Sequence, residues 1–276
     1  MRKLALPVHD DASTYRRVAV RLNYETYENV EPYVLERFAD FKEAFREKRV
    51  LQEVGHPLDL QLTMLSAFYD VATKEIESYK DALRRHNGFG CPYCGEYCST
   101  PDLDHYLPRS KYGELSLYSH NLIPSCSTCN RKLGTLVGPD LAIYPYGDTF
   151  LSEQLFMSRI SWVSGVPVFK LLLSDRLDRK AYTRLQAHCT RLEIEKRFIY
   201  FAASSVPRYR RMALATKALP SLRRAILAER DTYLPNPGIN AWPVILSDLL
   251  TSDDAILEWL LQTANNERVN IAVRGT

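Results

Sequence analysis

Two pairs of cysteines, Cys91-Pro-Tyr-Cys94 and Cys126-Ser-Thr-Cys129, constrain this chain more than any other feature. Two residues separate the thiols in each pair, so one tight turn can point both at a single ion. Two such knuckles supply four thiolates, the tetrahedral ligand set of a structural zinc site. Thirty-one residues separate the knuckles, more than in the shortest zinc ribbons, so something is looped out between them. Cys98 stands close enough to replace Cys94, but the paired spacing favours the four named. The plainer alternative is four buried, reduced cysteines. Cys189, alone on a helical stripe, reads as a core residue.

The surrounding segment needs such a metal. From 89 to about 135 Gly, Pro, Cys, Ser and Asn are frequent, and helical periodicity is absent until 127. A segment of that kind buries little apolar surface of its own. On either side the chain reads as helical. Leu58, Leu62, Leu65, Tyr69, Ala72, Ile76, Tyr79 and Leu83 step by four and three, which predicts one amphipathic helix over 58–86. Pro57 suits its first turn and Asn87-Gly88 its stop. A second helix is expected around 30–48, with Val34, Phe38, Phe41 and Phe45 on one side. Residues 155–174 resemble two short strands joined at Ser164-Gly165. Helices return from 177, where Leu185, Cys189, Leu192 and Ile199 mark one. Pro207, Pro220 and the stretch 234–238 punctuate the rest, and Thr251 to Asp254 resembles a capping box. The expected fold class is mainly α, with a small zinc-bound module and a β-hairpin near 155–174. Three regions are expected: helical 1–88, zinc-knuckle 89–150, and hairpin plus basic helices 151–276, a division that 276 residues allow.

Between and within the knuckles stand Asp104-His105, Asn121 ahead of Leu-Ile-Pro, and Cys129-Asn130-Arg-Lys. These residues resemble the HNH endonucleases, in the zinc-knuckle form of the ββα-metal nucleases, over about 45 residues from Cys91 to Gly134. The third position is Asn130 rather than histidine, similar to the H-N-N variant in the HNH domain of RNA-guided CRISPR nucleases. The resemblance implies a β-hairpin followed by a helix. Asp104 and His105 are expected at the end of the first strand, Asn121 at the second strand, and Cys129 and Asn130 at the opening of the helix. It also implies that Asn121 hydrogen-bonds within the hairpin loop and holds His105 in position.

The residue types suit that chemistry. Hydrolysing a phosphodiester needs an activated water, a cation on the developing negative charge, and help for the leaving oxygen. Histidine accepts a proton at neutral pH, which makes His105 the candidate base. A carboxylate and an amide oxygen are hard ligands, so Asp104 and Asn130 favour Mg²⁺ or Mn²⁺. Arg109, Lys111, Arg131 and Lys132 are near enough in sequence to contact phosphates. Each residue also has a plainer reading: His105 as a structural histidine, Asn121 as a turn cap, Asn130 as a helix cap. His120 neighbours Asn121 but has no role in the pattern, and His9, His56, His86 and His188 read as surface or packing residues.

Charge distribution adds a second candidate surface. The net charge is +3, yet residues 176–230 carry 14 Lys and Arg against 4 Asp and Glu. Arg208, Arg210 and Arg211 are the candidate DNA-backbone contacts there. The competing reading pairs these arginines with the acidic segment 231–276 or uses them for a protein partner. A zinc-stabilised nucleic-acid-binding or partner-binding module without catalysis remains the alternative to a nuclease. The N-terminal apolar run is too short for a signal peptide and no stretch approaches a membrane span, so a soluble cytoplasmic protein is expected. The helical flanks resemble stand-alone HNH proteins of bacterial defence loci, such as the nuclease component of Septu-type systems. That layout implies an ATPase partner. The sequence has no P-loop, so any ATP dependence must come from another chain.

Overall fold

The computed structural model describes residues 1–22, 27–47, 49, 51–53, 64–86, 88, 90–135, 142–236 and 238–264. Two compact units make up the chain. One comprises Lys3–Tyr93 and Cys98–Thr149; the other comprises Met1–Arg2, Cys94–Tyr97 and Phe150–Thr276.

The first unit contains α1 (Asp11–Arg21), α2 (Tyr27–Glu47), α3 (Lys74–Arg85), β1 (Asp102–His105), β2 (Leu122–Ser125) and α4 (Ser127–Leu133). Helix α2 is the one expected around 30–48. It buries Val34, Phe38 and Phe41, with Phe38 stacked on Tyr118 at 4.3 Å between ring centroids. The single helix expected over 58–86 is not one helix. Its first residues, 58–63, lie outside the described residues. After a short helical turn at Ala67–Asp70 the backbone extends at Val71, and Thr73 starts α3 by accepting from the Ile76 N–H at 3.3 Å. The apolar stepping runs through this break, so periodicity alone could not reveal it; the side-chain cap does.

Helix α3 is the floor of the hairpin. Leu83 packs with Leu103 of β1 and Leu122 of β2, and Tyr69 and Tyr79 close over them. The helical and knuckle regions expected from the sequence therefore share one core. The strands are antiparallel, with Leu103 opposite Pro124 and Asp104 opposite Ile123. Pro124 is tolerated because each strand of a two-stranded sheet is an edge.

The second unit holds β3 (Phe156–Val163), β4 (Val166–Leu173), α5 (Arg179–Arg191), α6 (Ile194–Thr216), α7 (Leu219–Tyr233), α8 (Trp242–Thr251) and α9 (Asp254–Gln262). The hairpin turns where expected: Ser164 and Gly165 have φ of 50° and 75°, the positive pair that a two-residue turn between right-twisted strands requires. Three helical expectations need correction. The stripe from Leu185 to Ile199 spans two helices, because Glu193 adopts φ 50° and ends the first. Pro207 does not punctuate but sits inside α6. A mid-helix proline sacrifices one hydrogen bond, and the buried face of Phe198, Ala202, Val206, Tyr209 and Ala213 holds the helix across it. The cap of α9 is Asp253, which accepts from the Ala255 N–H at 2.9 Å; the Thr251 hydroxyl instead donates back to the Ser247 carbonyl at 2.8 Å. Cys189 is half-buried rather than sealed in a core. Gly95 in this unit has φ 86°, and a Cβ there would lie 2.3 Å from the Asn240 carbonyl oxygen.

Candidate active site

The four knuckle thiols converge. Cys91, Cys94, Cys126 and Cys129 are buried, and their sulfurs all lie within 4.8 Å of one another. A tetrahedral zinc with Zn–S of about 2.3 Å needs sulfurs about 3.8 Å apart, so this donor set fits a structural zinc. The Cys126 N–H donates to the Cys91 sulfur at 3.3 Å, tying the two knuckles together. Cys98 is not in that cluster, and burial pushes its thiol up to about 12.

Strand alternation places the next residues. Leu103 points into the core with Leu83 and Leu122, so Asp102 and Asp104 share the opposite face of β1. His105 ends the strand, and Asn130 lies in the first turn of α4. Asp104, His105 and Asn130 line one pocket of about 260 Å³, together with Pro108, Arg109 and Ser110. That is the trio the sequence singled out, gathered from a strand and a helix that the zinc knuckle brackets.

The surroundings set the protonation of each group. His105 Nε2 lies 3.0 Å from the Ser116 carbonyl oxygen. A carbonyl only accepts, so Nε2 carries the proton and Nδ1 keeps its lone pair. The ring also meets Tyr69 edge-on at 4.6 Å. Burial lowers the His105 pKa to about 4, with Arg109 assisting, against the Ser116 hydrogen bond that favours the charged form. The imidazole is therefore neutral at pH 7. Asp104 is 4% exposed. Burial raises its carboxyl to about 7, partly offset by the hydrogen bond that it accepts from Tyr93 Oη at 2.8 Å. A cation bound there would restore the charged form.

Asn121 occupies the turn one residue ahead of β2 rather than the strand itself. It is fully buried. Its Oδ1 accepts from the Leu107 N–H at 2.8 Å, and its Nδ2 donates to the Leu107 and Leu115 carbonyls at 3.0 and 3.2 Å. Leu107 follows His105 by two residues, and Leu115 precedes Ser116. Asn121 thus ties together the two strands of loop that meet at the His105–Ser116 bond.

The candidate phosphate contacts are distributed differently. Arg109 lines the pocket, with its guanidinium 2.9 Å from Asp70 and over the Tyr69 ring. Lys111 pairs with Glu53 at 2.8 Å. Arg131 is exposed and Lys132 half-buried on α4. In the other unit Arg208 pairs with Glu229 at 2.5 Å, Arg210 is 7% exposed beneath the Trp259 ring, and Arg211 is exposed. Arg223 and Arg230 pair with Asp254 and Asp248 of the acidic segment.

Residues 91–136 match the family model described as HNH endonuclease. This segment is similar to an HNH endonuclease domain. The chain is also similar to protein ea31 of Escherichia phage lambda, with 30% identity over 194 residues; that alignment covers 60% of this chain and 64% of ea31. No solved structure matches. Among the described residues no helix is long and apolar enough to cross a membrane. Members of that family are usually nucleases. Three residues that hydrogen-bond to the candidate site residues escaped the sequence reading: Tyr93, Ser116 and Asp102. Ser116 acts through its backbone, which no residue type signals. Tyr93 lies inside a knuckle, and Asp102 lies two residues before Asp104, where strand alternation would have placed it on the same face.

Proposed function

We propose that this chain is a divalent-metal-dependent DNA endonuclease. The observation that carries the reading is the pocket where a neutral imidazole, a carboxylate and an amide meet. Asp104 and Asn130 would hold Mg²⁺ or Mn²⁺, which supplies positive charge to the phosphate oxygens as they become more negative. His105 Nδ1 takes the proton from the attacking water, because Nε2 is committed to Ser116. A positioned base of this kind contributes about 10²–10⁴ in rate. Arg109, at the pocket wall, supports a scissile or adjacent phosphate. Arg131, Lys132 and Lys111 extend the track for the DNA backbone within the same unit, and the exposed Arg211 is a separate candidate contact in the other unit.

Supercoiled plasmid incubated with purified protein and Mg²⁺ tests this directly. Nicking by the wild type and none by His105→Ala is the expected pair of results. DNA binding without nicking by the wild type would instead favour a zinc-stabilised binding module. We further propose an ATPase partner, supported by the likeness of the helical flanks to defence-locus HNH proteins. Affinity purification of the tagged chain from its native host tests it by the recovery of a P-loop protein.

A further inference from the structure

The strand that carries Asp104 carries a second carboxylate on the same face, at Asp102. Asp102 is half-buried and is not among the residues lining the pocket. Its Oδ2 accepts a hydrogen bond from Asn130 Nδ2 at 3.2 Å. An amide side chain has two ends of nearly equal size, one a donor and one an acceptor, and only the oxygen can ligate a cation. An ionised carboxylate has no proton to give, so it can hold only the NH₂ end. Asp102 thereby decides which way round the Asn130 amide sits. The NH₂ is turned to Asp102, and Oδ1 is left for the pocket.

We propose that Asp102 is a positioning residue of the nuclease site, fixing the Asn130 amide so that Oδ1 is the atom presented to the divalent cation. The proposal rests on the metal reading given above. It accounts for a difficulty that asparagine brings to this position. Asn130 stands where a histidine is usual, and an untethered amide would populate both orientations before the cation arrives, so that binding would have to order it. The carboxylate removes that choice. It also draws electron density toward Oδ1 through the hydrogen bond, which strengthens a neutral ligand.

Mn²⁺ binding followed by electron paramagnetic resonance tests this without relying on turnover. Zinc-loaded wild type, D102A, N130A and the D102A/N130A double variant are titrated with Mn²⁺ alone, after zinc content and circular dichroism confirm that each is folded. D102A is expected to weaken Mn²⁺ binding about 10–100-fold, the usual cost of losing a group that orients a ligand. The double variant is expected to bind no more weakly than N130A, because Asp102 acts only through Asn130. D102N, which can still accept from the amide but can also donate to it, is expected to fall between wild type and D102A. At saturating Mn²⁺, D102A should recover plasmid cleavage to within a few-fold of wild type, since His105 is untouched. Wild-type affinity in D102A would overturn the proposal. So would a loss in the double variant that exceeds the loss in N130A, which would make Asp102 a ligand in its own right. A wild type that binds no Mn²⁺ would overturn the metal reading itself, a result distinct from either of these.

Discussion

Tyr93 Oη donates to Asp104 Oδ2 at 2.8 Å, so a residue of the first zinc knuckle holds one oxygen of the candidate catalytic carboxylate. Tyr93 has no exposed surface. It stands between Cys91 and Cys94 in the chain, and on the proposed metal reading its hydroxyl leaves the other oxygen of Asp104 to face the cation. The knuckle thus reaches the pocket through this hydrogen bond. Tyr93→Phe should raise the Mg²⁺ needed for half-maximal cleavage about 10–100-fold while zinc content stays at one per chain. A metal requirement equal to wild type would show that Asp104 is held by other means.

Removing the zinc has a different signature. Cys129→Ser should lose the ion and unfold the segment around both knuckles, since metal binding of this kind contributes on the order of 10 kcal/mol. Elemental analysis together with near-ultraviolet circular dichroism checks it. Native tertiary signal in a zinc-free variant would contradict the assignment.

Asp104 costs stability when no cation is bound. Unfolded, its carboxyl titrates near the ordinary 3.8; folded, it titrates near 7. Between those values the folded state keeps a proton that the unfolded state has released, so stability falls as pH rises from about 4 to 7 and stays lower above. Asp104→Asn carries no charge and escapes this penalty. With zinc retained and no Mg²⁺ added, the variant should melt several degrees above wild type at pH 8, an effect on the order of 2–4 kcal/mol. The gap should close by pH 4. Differential scanning calorimetry across that range reads the sign directly.

The base and the ligand should separate in pH as well. His105 titrates near 4, so it is already deprotonated at pH 5. Cleavage at saturating Mg²⁺ should then hold nearly flat from pH 8 down to 5. The Mg²⁺ needed for half-maximal rate should climb below pH 7, where Asp104 takes up a proton. His105→Ala should lose at least 10² in rate at every pH and keep its zinc.

The basic helices call for single reversals rather than a combined one. Arg210→Glu would bury a charge beneath Trp259 and should cost about 3 kcal/mol or more in stability. Arg208→Glu sets two carboxylates against each other at Glu229. Arg211→Glu alone leaves the fold intact and tests DNA contact. If Arg211 meets a phosphate, the slope of log affinity against log salt should flatten by about 0.9. An unchanged slope would remove this helix from the DNA-binding surface.

The sequence made the chemistry easier to read than the helix boundaries. Thiol spacing and the Asp104-His105 pair are set by what a metal and a base require, and such demands leave residue types at fixed intervals. The break before α3 and the one at Glu193 leave no such trace. At the first, Ala72 continues the apolar stripe, and the decisive event is Thr73 capping Ile76. At the second, a glutamate takes a left-handed conformation with neither glycine nor proline to announce it. Pro207 misled in the opposite sense, because packing along α6 outweighs one missing hydrogen bond. The roles of Tyr93, Asp102 and Ser116 depend on which atoms meet across the hairpin, and that depends on the register of β1 against β2.

The stacking of Phe38 on Tyr118, the edge-on contact of Phe45 with Tyr106, and the packing of Leu83 with Leu103 and Leu122 have a consequence for how this chemistry can travel. A fragment cut at residue 89 would carry every candidate catalytic and zinc-binding group, yet expose the rings and leucines that α2 and α3 now cover. Such a fragment could capture zinc and still clump with its neighbours. A gene rearrangement that moved only the knuckles and hairpin into another protein would deliver a complete set of reactive atoms with nothing beneath them, so inheritance of the active site is tied to inheritance of the helices that precede it.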